Sequence, residues 1–289
     1  MNASSHCLMC LMSRQEKQAR AIASEDDRLR YLTRSMQIIA DCAGKLPAPV
    51  IVEHLRPLNI EYFGEQDAYA EAKRKYNELM LSLEDSIAAD IDSAEDSLRR
   101  ALLYARAGNY IDFGTLSQVE ESKLLELLRD AASDALDDGL YRALLDDLAS
   151  AKRLVFLLDN CGEIVLDKLF LRELRRRYPE MHITAMTRGG YVLNDATADD
   201  AQSVGIGEYA HRVGNGTTVP GTWMPDVSIE ACVLLQTADV VVSKGQANLE
   251  TFFGNGINTY YLLLCKCQRF VETFGQDMYT GLFIHEKKA

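Results

Sequence analysis

Basic charge is scarce in this chain. Its 289 residues hold 31 Lys and Arg against 43 Asp and Glu, a net charge of −12 with neutral histidines. The deficit is uneven. Residues 1–150 carry 17 basic against 27 acidic side chains, a balance of −10, and residues 151–289 carry 14 against 16, a balance of −2. Such an acidic first half argues against nucleic acid or an anionic membrane as partner. The near-neutral second half can hold an anionic substrate without a strong opposing field. No apolar run approaches the roughly 18–20 residues of a membrane span, and no charged-then-apolar leader is present. The seven cysteines form no regular framework, so a reduced, cytoplasmic protein is expected.

Several catalytic signatures are missing as well. No GxSxG occurs, and His54, His182, His211 and His285 form neither HExxH nor HxH, which leaves a serine hydrolase or a zincin without support. No GxxxxGK[ST] phosphate loop occurs. The glycine pairs at 205/207, 214/216 and 254/256 do not make a dinucleotide fingerprint after the first strand. No repeat, low-complexity tract or Gly/Ser/Pro-rich spacer divides the chain.

What is present changes character near residue 150. Up to that point helical periodicity dominates. Residues 13–46 place Ala21, Ile22, Leu29, Leu32, Met36, Ile39 and Ala40 on one face, and 65–90, 93–107 and 116–149 continue the pattern. Pro47, Pro49 and Pro57 predict helix ends nearby. From 151 onward, apolar β-type runs at 154–158, 182–186, 239–243 and 259–264 alternate with helical patterns at 163–177, 226–237 and 246–253, and 279–285 reads as a further edge strand. This alternation predicts an α/β fold, a mostly parallel sheet with helices on both faces. An all-helical domain (1–150) is expected to pack against the α/β domain (151–289), which would hold metal and phosphate.

The candidate chemistry sits at strand ends. The run 154–158 stops on Asp159-Asn160-Cys161-Gly162-Glu163, a carboxylate and a carboxamide where open α/β sheets bind ligands. Hard oxygen donors suit Mg²⁺ or Mn²⁺ rather than zinc. A cap for the following helix is the plain alternative. Asn194 and Asp195 follow the second strand; Asp195 serves equally as a helix cap. The strand at 239–243 ends in Lys244-Gly245-Gln246-Ala247-Asn248-Leu249-Glu250, where a lysine beside a glycine at a helix start suits phosphate. The loop Gly108-Asn109-Tyr110-Ile111-Asp112-Phe113-Gly114 is either a plain turn or a reach into the cleft. Cys7 and Cys10 form a lone CxxC, for which packing on a helix face is favoured over a metal site; His6, Cys265 and Cys267 are its conceivable co-ligands.

Taken together, Asp159-Asn160-x-Gly162-Glu163, Asn194-Asp195-x-Thr197 and Lys244-Gly245-Gln246-x-Asn248-x-Glu250 resemble the damage-control phosphatases, a family formerly called domain of unknown function 89. Gly108-Asn109-x-Ile111-Asp112, Asn215-Gly216 with Pro220-Gly221-Thr222, and the segment 262–267 extend the likeness over most of the chain, and the CxxC resembles a prokaryotic and archaeal branch. Cys161, Leu249 and Cys265-Lys266-Cys267 depart from the family pattern without removing a candidate ligand.

The resemblance implies a divalent ion (Mn²⁺, Ni²⁺, Co²⁺ or Mg²⁺) on Asp159, Asn160 and Asp195. Lys244 would bind the substrate phosphate, with Asn109, Asp112, Glu163, Asn194, Gln246 and Asn248 nearby. The expected activity is hydrolysis of a small phosphorylated metabolite, a sugar phosphate or a damaged phosphometabolite, with Asp159, Asn160, Asp195 and Lys244 as the catalytic set. An aspartyl-phosphate route is disfavoured because Cys161 stands where a second Asp is needed. The alternatives are a non-catalytic metabolite- or nucleotide-binding protein and a carboxyl methyltransferase. No feature specifies an oligomeric state.

Overall fold

The computed structural model describes residues 1–65, 67–112 and 119–288. Its centre is β1 (Arg153–Leu157), whose side chains alternate between two apolar cores. Leu154, Phe156 and Leu158 join one core, Val155 and Leu157 the other. A strand buried on both faces has no polar side to present, which is why its sequence reads as an unbroken apolar run.

Five strands run parallel: β1, β2 (His182–Thr187), β3 (His211–Gly214), β4 (Val240–Lys244) and β5 (Thr259–Leu264). The sixth, β6 (Gly281–Glu286), pairs antiparallel with β5 along one edge. The order β3-β2-β1-β4-β5-β6 reverses direction between β1 and β4. That switch point opens a crevice beyond the carboxyl ends of β1 and β4, where sheets of this kind bind ligands.

Helices cover both faces. On one side lie α4 (Ala70–Ser93), α5 (Ser97–Gly108), α6 (Glu121–Asp130), α7 (Asp138–Ser150) and α8 (Glu163–Arg177). On the other lie α10 (Ile229–Thr237), α11 (Gln246–Phe252) and α12 (Gln268–Phe274), while α9 (Ala198–Ser203), following β2, buries Ala201 in the first core. The first three helices, α1 (Ser5–Ala19), α2 (Glu25–Cys42) and α3 (Ala48–Phe63), share smaller clusters around Leu11, Ile39, Ile51 and Leu55 and around Ala19, Tyr31 and Leu58. Tyr31 ties them together, its hydroxyl standing 2.6 Å from Gln15 Oε1 and 2.7 Å from Asn59 Oδ1. Among the described residues no helix is long and apolar enough to cross a membrane.

Helix α5 matters most for the site. From Ala101 to Gly108 every residue is buried, and small ones let it lie close to α8. A Cβ on Gly108 would stand 2.6 Å from Leu166 Cδ1. This contact fixes the helix end, and with it Asn109, against the strand tips.

Several expectations need correction. The helical face over 13–46 is two helices, because Ser24 starts α2 afresh by accepting from the Asp27 amide. Pro57 does not end a helix; it lies inside α3. Leu55 and Leu58 are buried on either side of it, and tertiary packing there outweighs the roughly 3 kcal/mol that an interior proline costs. The pattern over 116–149 resolves into α6 and α7, with 116–118 outside the described residues, as are Phe113 and Gly114. Strand β3 and helix α12 escaped prediction. Four residues with exposed His211 and half-buried Arg212 give β3 little apolar signature.

At the switch point β4 ends in Gly245, which takes φ +82°. A Cβ there would also fall inside the van der Waals envelope of Asp159 Oδ2. Gly245→Ala is therefore expected to lower stability by about 1–3 kcal/mol from backbone strain alone, read as an earlier urea midpoint. An unchanged midpoint would mean that Asp159 and the β4 turn do not constrain each other.

Candidate active site

Two backbone segments meet at the tips of β1 and β2. Asn160 and Asp195 form an antiparallel bridge. The Ala196 amide donates to Asp159 O at 2.7 Å, and the Cys161 amide to Asn194 O at 2.9 Å. This zipper brings Asp159, Asn160 and Asp195 to one place although 35 residues separate the two carboxylates. The capping alternatives do not hold. Helix α8 begins at Glu163 after Gly162, with no side-chain cap, and α9 is capped by Thr197, reciprocally bonded with Asp200.

All three side chains are buried, Asp159 and Asp195 at 4% exposure and Asn160 at 1%. Burial holds the Asp159 carboxyl well above its ordinary range, and the nearby Asp195 and Glu163 push it further. Asp195 is raised by burial too, with Arg188 pulling back. Arg188, 1% exposed, spans the pair: Nε donates to Asp195 Oδ2 at 2.6 Å and Nη2 to Asp159 Oδ1 at 3.2 Å.

More buried charge lies behind these three residues. Asn160 Nδ2 donates to Asp159 Oδ2 at 2.7 Å and to Glu163 Oε2 at 3.0 Å. Asn109 Nδ2 reaches Asp159 Oδ2 at 3.2 Å and both Glu163 oxygens at 3.0 and 3.1 Å. Lys244 gives all three ammonium protons inward, to Glu163 at 2.5 Å, Asp167 at 2.7 Å and Ala105 O at 2.8 Å. Burial opposes its charge, but Asp167 and Glu163 outweigh that and hold its pKa above the ordinary value. Burial also lifts Asp167 to about 7. Lys266 repeats the device on the next strand, donating to Asp112 at 2.5 Å and Asn109 O at 2.6 Å. The two lysines thus cap carbonyls at the carboxyl end of α5.

In front lies a cavity of about 320 Å³. Asp112, Asp159, Asn160, Asp195 and Gln246 line its inner end, and α1, α3, α11 and α12 supply the walls through Leu11, Arg14, Val52, Glu250 and Arg269, among others. The loop 215–222 is held by Asn215, whose Oδ1 accepts from Gly189 and Thr217 amides and whose Nδ2 donates to Gly221 O. It contributes Pro220 to the wall.

Of the residues expected to meet substrate, Asp112 and Gln246 line the cavity. Asn109, Glu163, Asn194, Lys244 and Asn248 do not. Lys244, a fully buried ammonium, has three oxygen partners and no donor left for phosphate in this arrangement. The Gly245 amide is also occupied, by Leu262 O at 3.1 Å. Asn248 bonds Leu158 O, Lys244 O and Thr222, tying β1, β4 and the 215–222 loop together. Asn194 donates to Ile111 O. Sequence reading missed Arg188, Asp167 and Lys266. Arg188 was within reach, since it follows β2 directly, as Asp159 and Lys244 stand at the ends of β1 and β4. The thiols of Cys7, Cys10 and Cys267 line the cavity as well, whereas Cys265 packs in the core.

These residues fit a divalent cation. Two carboxylates and a carboxamide are hard donors, and their mutual repulsion leaves negative charge that Arg188 only partly offsets. Asn160 has committed Nδ2 to carboxylates, so Oδ1 is the atom left to it for a cation. Among the described residues no three His, Cys, Asp or Glu side chains gather into a metal cage; the candidate set has only two such members.

Comparison with known proteins matches this architecture. An uncharacterized protein of Methanocaldococcus jannaschii is 29% identical over 94% of this chain and 91% of its own length. A damage-control phosphatase of Archaeoglobus fulgidus is 28% identical over 96% and 97%, and one of Pyrococcus horikoshii, PH1575, 26% over 92% of each. The crystal structure of that P. horikoshii DUF89 family protein superposes with a TM-score of 0.81, covering 99% of this chain and all of the other at 23% identity, a likeness of fold. The family model for the damage-control phosphatase ARMT1-like domain matches residues 3–282. Spanning nearly every element described above, that match establishes the chain as a member of the ARMT1-like damage-control phosphatase family.

Proposed function

We propose that this protein is a metal-dependent phosphomonoesterase acting on a small phosphorylated metabolite. The observation that carries the reading is the buried Asp159–Asp195 pair, joined by Asn160, at the inner end of a cavity sized for a small molecule. Two relatives bear the name damage-control phosphatase, which supports the same chemistry.

Asp159, Asn160 through Oδ1, and Asp195 would hold the ion. When bound, it supplies Lewis-acid charge for a phosphoryl oxygen and lowers the pKa of a water. The chain's own residues do the rest. Arg188 keeps both carboxylates in register from behind, Glu163 orients the Asn160 carboxamide, and Asn109 in turn holds Glu163 and Asp159. Such supporting contacts commonly govern metal affinity by about 10–100-fold. Lys244 acts electrostatically, holding the Glu163 charge in place rather than touching phosphate. Asp112 and Gln246, on the cavity side, orient the ester. The apolar walls from α1 and α3 exclude bulk water, which strengthens every charge interaction inside.

A methyltransferase would need a glycine-rich loop after β1. The turn has one glycine, Gly162, and its amide is spent on Asn77 Oδ1 at 2.5 Å. A purely binding function is the reading that the following assay rejects. Phosphate release from a panel of phosphometabolites, on chelator-treated protein with Mn²⁺, Co²⁺, Ni²⁺ or Mg²⁺ restored singly, should depend on the added ion. In Asp195→Ala the rate should fall at least about 100-fold, beyond a typical supporting-residue effect. Turnover in that variant equal to wild type would remove the ligand assignment.

Lys244 gives a separate check. Lys244→Met leaves Glu163 buried without its counter-ion, so unfolding free energy should drop by about 3–5 kcal/mol in chemical denaturation. A direct phosphate contact predicts instead an unchanged midpoint with a raised KM.

A further inference from the structure

One carboxylate in the cavity has no part in the hydrolytic scheme. Glu250 lies on α11, is 6% exposed, and lines the cavity. Its Oε2 has no hydrogen-bond partner among the described residues. The Arg269 guanidinium stands 3.6 Å from that oxygen, beyond hydrogen-bond length. Arg269 spends its donors elsewhere, on Cys7 Sγ at 3.4 Å and Asn2 O at 2.7 Å. Burial pushes the Glu250 carboxyl up to about 7, and Arg269 pulls it back only in part. A buried acceptor without a donor costs stability, and in a ligand cavity a bound molecule can supply the missing donor.

The position of Glu250 says which part of the ligand. Helix α11 starts immediately after Gly245, whose Cα lies against Asp159. Five residues of helix carry Glu250 about 7 Å along the axis from that point. A phosphate at the Asp159–Asp195 end, followed by a few carbon atoms, spans that distance. Around Glu250 the wall offers few buried acceptors, since His6 and Gln268, which also line the cavity, are exposed. Cys7, Cys10 and Cys267 offer weakly bonding thiols. Gln246 Oε1 is already taken by the Lys266 amide at 2.8 Å. Charge decides the type of donor. Glu250 and Arg269 already balance, and the Met1 ammonium, which donates to Glu250 O, and Arg14 add further positive charge nearby, so a neutral hydroxyl suits the site better than an ammonium.

We propose that Glu250 is a specificity-determining residue that accepts a hydrogen bond from a hydroxyl on the leaving group of the phosphoester. The cavity would thereby select hydroxyl-bearing esters over their deoxygenated counterparts. The inference rests on the reading of Asp159 and Asp195 as the phosphate end.

The test uses Mn²⁺-loaded full-length protein and non-hydrolysable probes, ω-hydroxyalkyl phosphonates of about three to six carbons and the matching alkyl phosphonates, with affinities from calorimetry. At one chain length the hydroxyl should tighten binding about 10–100-fold, the worth of a hydrogen bond to a charged group. In Glu250→Leu that advantage should shrink to within about twofold, while Glu250→Gln, which keeps an acceptor of the same shape, should retain part of it. A hydroxyl that helps at no chain length, or an advantage that persists in Glu250→Leu, overturns the proposal. Should the leucine variant fail to fold, Glu250→Gln decides, an undiminished advantage being the contrary result. Turnover of an aryl phosphate by the same preparation separates the two readings. No turnover with the hydroxyl advantage intact rejects hydrolysis and keeps Glu250; phosphonates that do not bind reject both.

Discussion

Two carboxylates resist sharing one dry site, and the surroundings of Asp159 and Asp195 are arranged against that penalty. Each loses hydration on burial, Asp195 and Glu163 press on Asp159, and Asp112 presses on Asp195, so both carboxyls are displaced upward from their ordinary range. Arg188 bridges them, and a planar guanidinium is the side chain able to do so, because its fork holds two oxygens at once. Behind them, Glu163 and Asp167 add two more acids, met by the Lys244 ammonium. Removing one partner from such a network leaves a buried charge without compensation, which is costlier than the pair itself is stabilising. The cluster therefore cannot be edited one residue at a time.

Backbone geometry serves the same end. Asp159 and Asp195 come together because the chain zips along 159–161 and 194–196, not because their side chains attract. Gly245 lets β4 turn beside Asp159 without a Cβ in the way, and Gly108 lets α5 lie on α8 so that Asn109 and two helix carbonyls arrive behind the carboxylates. Sheet, helix end and lysines form one support. The helices α1–α3 close the front, where Leu11, Arg14 and Val52 line the cavity with the strand-tip residues. Charge is thus fixed by the sheet and its adjoining helices, while shape and polarity toward a ligand come largely from the amino-terminal helices, α11 and α12.

Much of this was legible from the sequence, for definite reasons. A strand buried on both faces must read as continuous apolar residues, so β1, β2, β4 and β5 announced themselves, and polar residues just past their ends marked the crevice. Side-chain direction was not legible. Lys244, Asn248 and Asn194 stand in the right segments, yet their polar atoms turn inward, because partners that meet them, such as Ala105 O and Ile111 O, come from α5 and the turn after it, far away in sequence. Arg188 was legible by its place just after β2, but the bridge it makes between Asp159 and Asp195 was not, because that exists only once β1 and β2 lie side by side. Pro57 shows the opposite failure: a strong local signal lost to burial of Leu55 and Leu58 around it.

The central claim is that Asp159, Asn160 and Asp195 form a single divalent-ion site, supported from behind and open to the cavity. Anomalous scattering from a crystal grown or soaked with Mn²⁺ tests it most directly. The account predicts one strong peak within coordinating distance of Asp159, Asp195 and Asn160 Oδ1, on the cavity side, with Arg188 still beyond it. A peak at the Cys7, Cys10 and Cys267 wall, or no peak at the strand tips under saturating Mn²⁺, would contradict it.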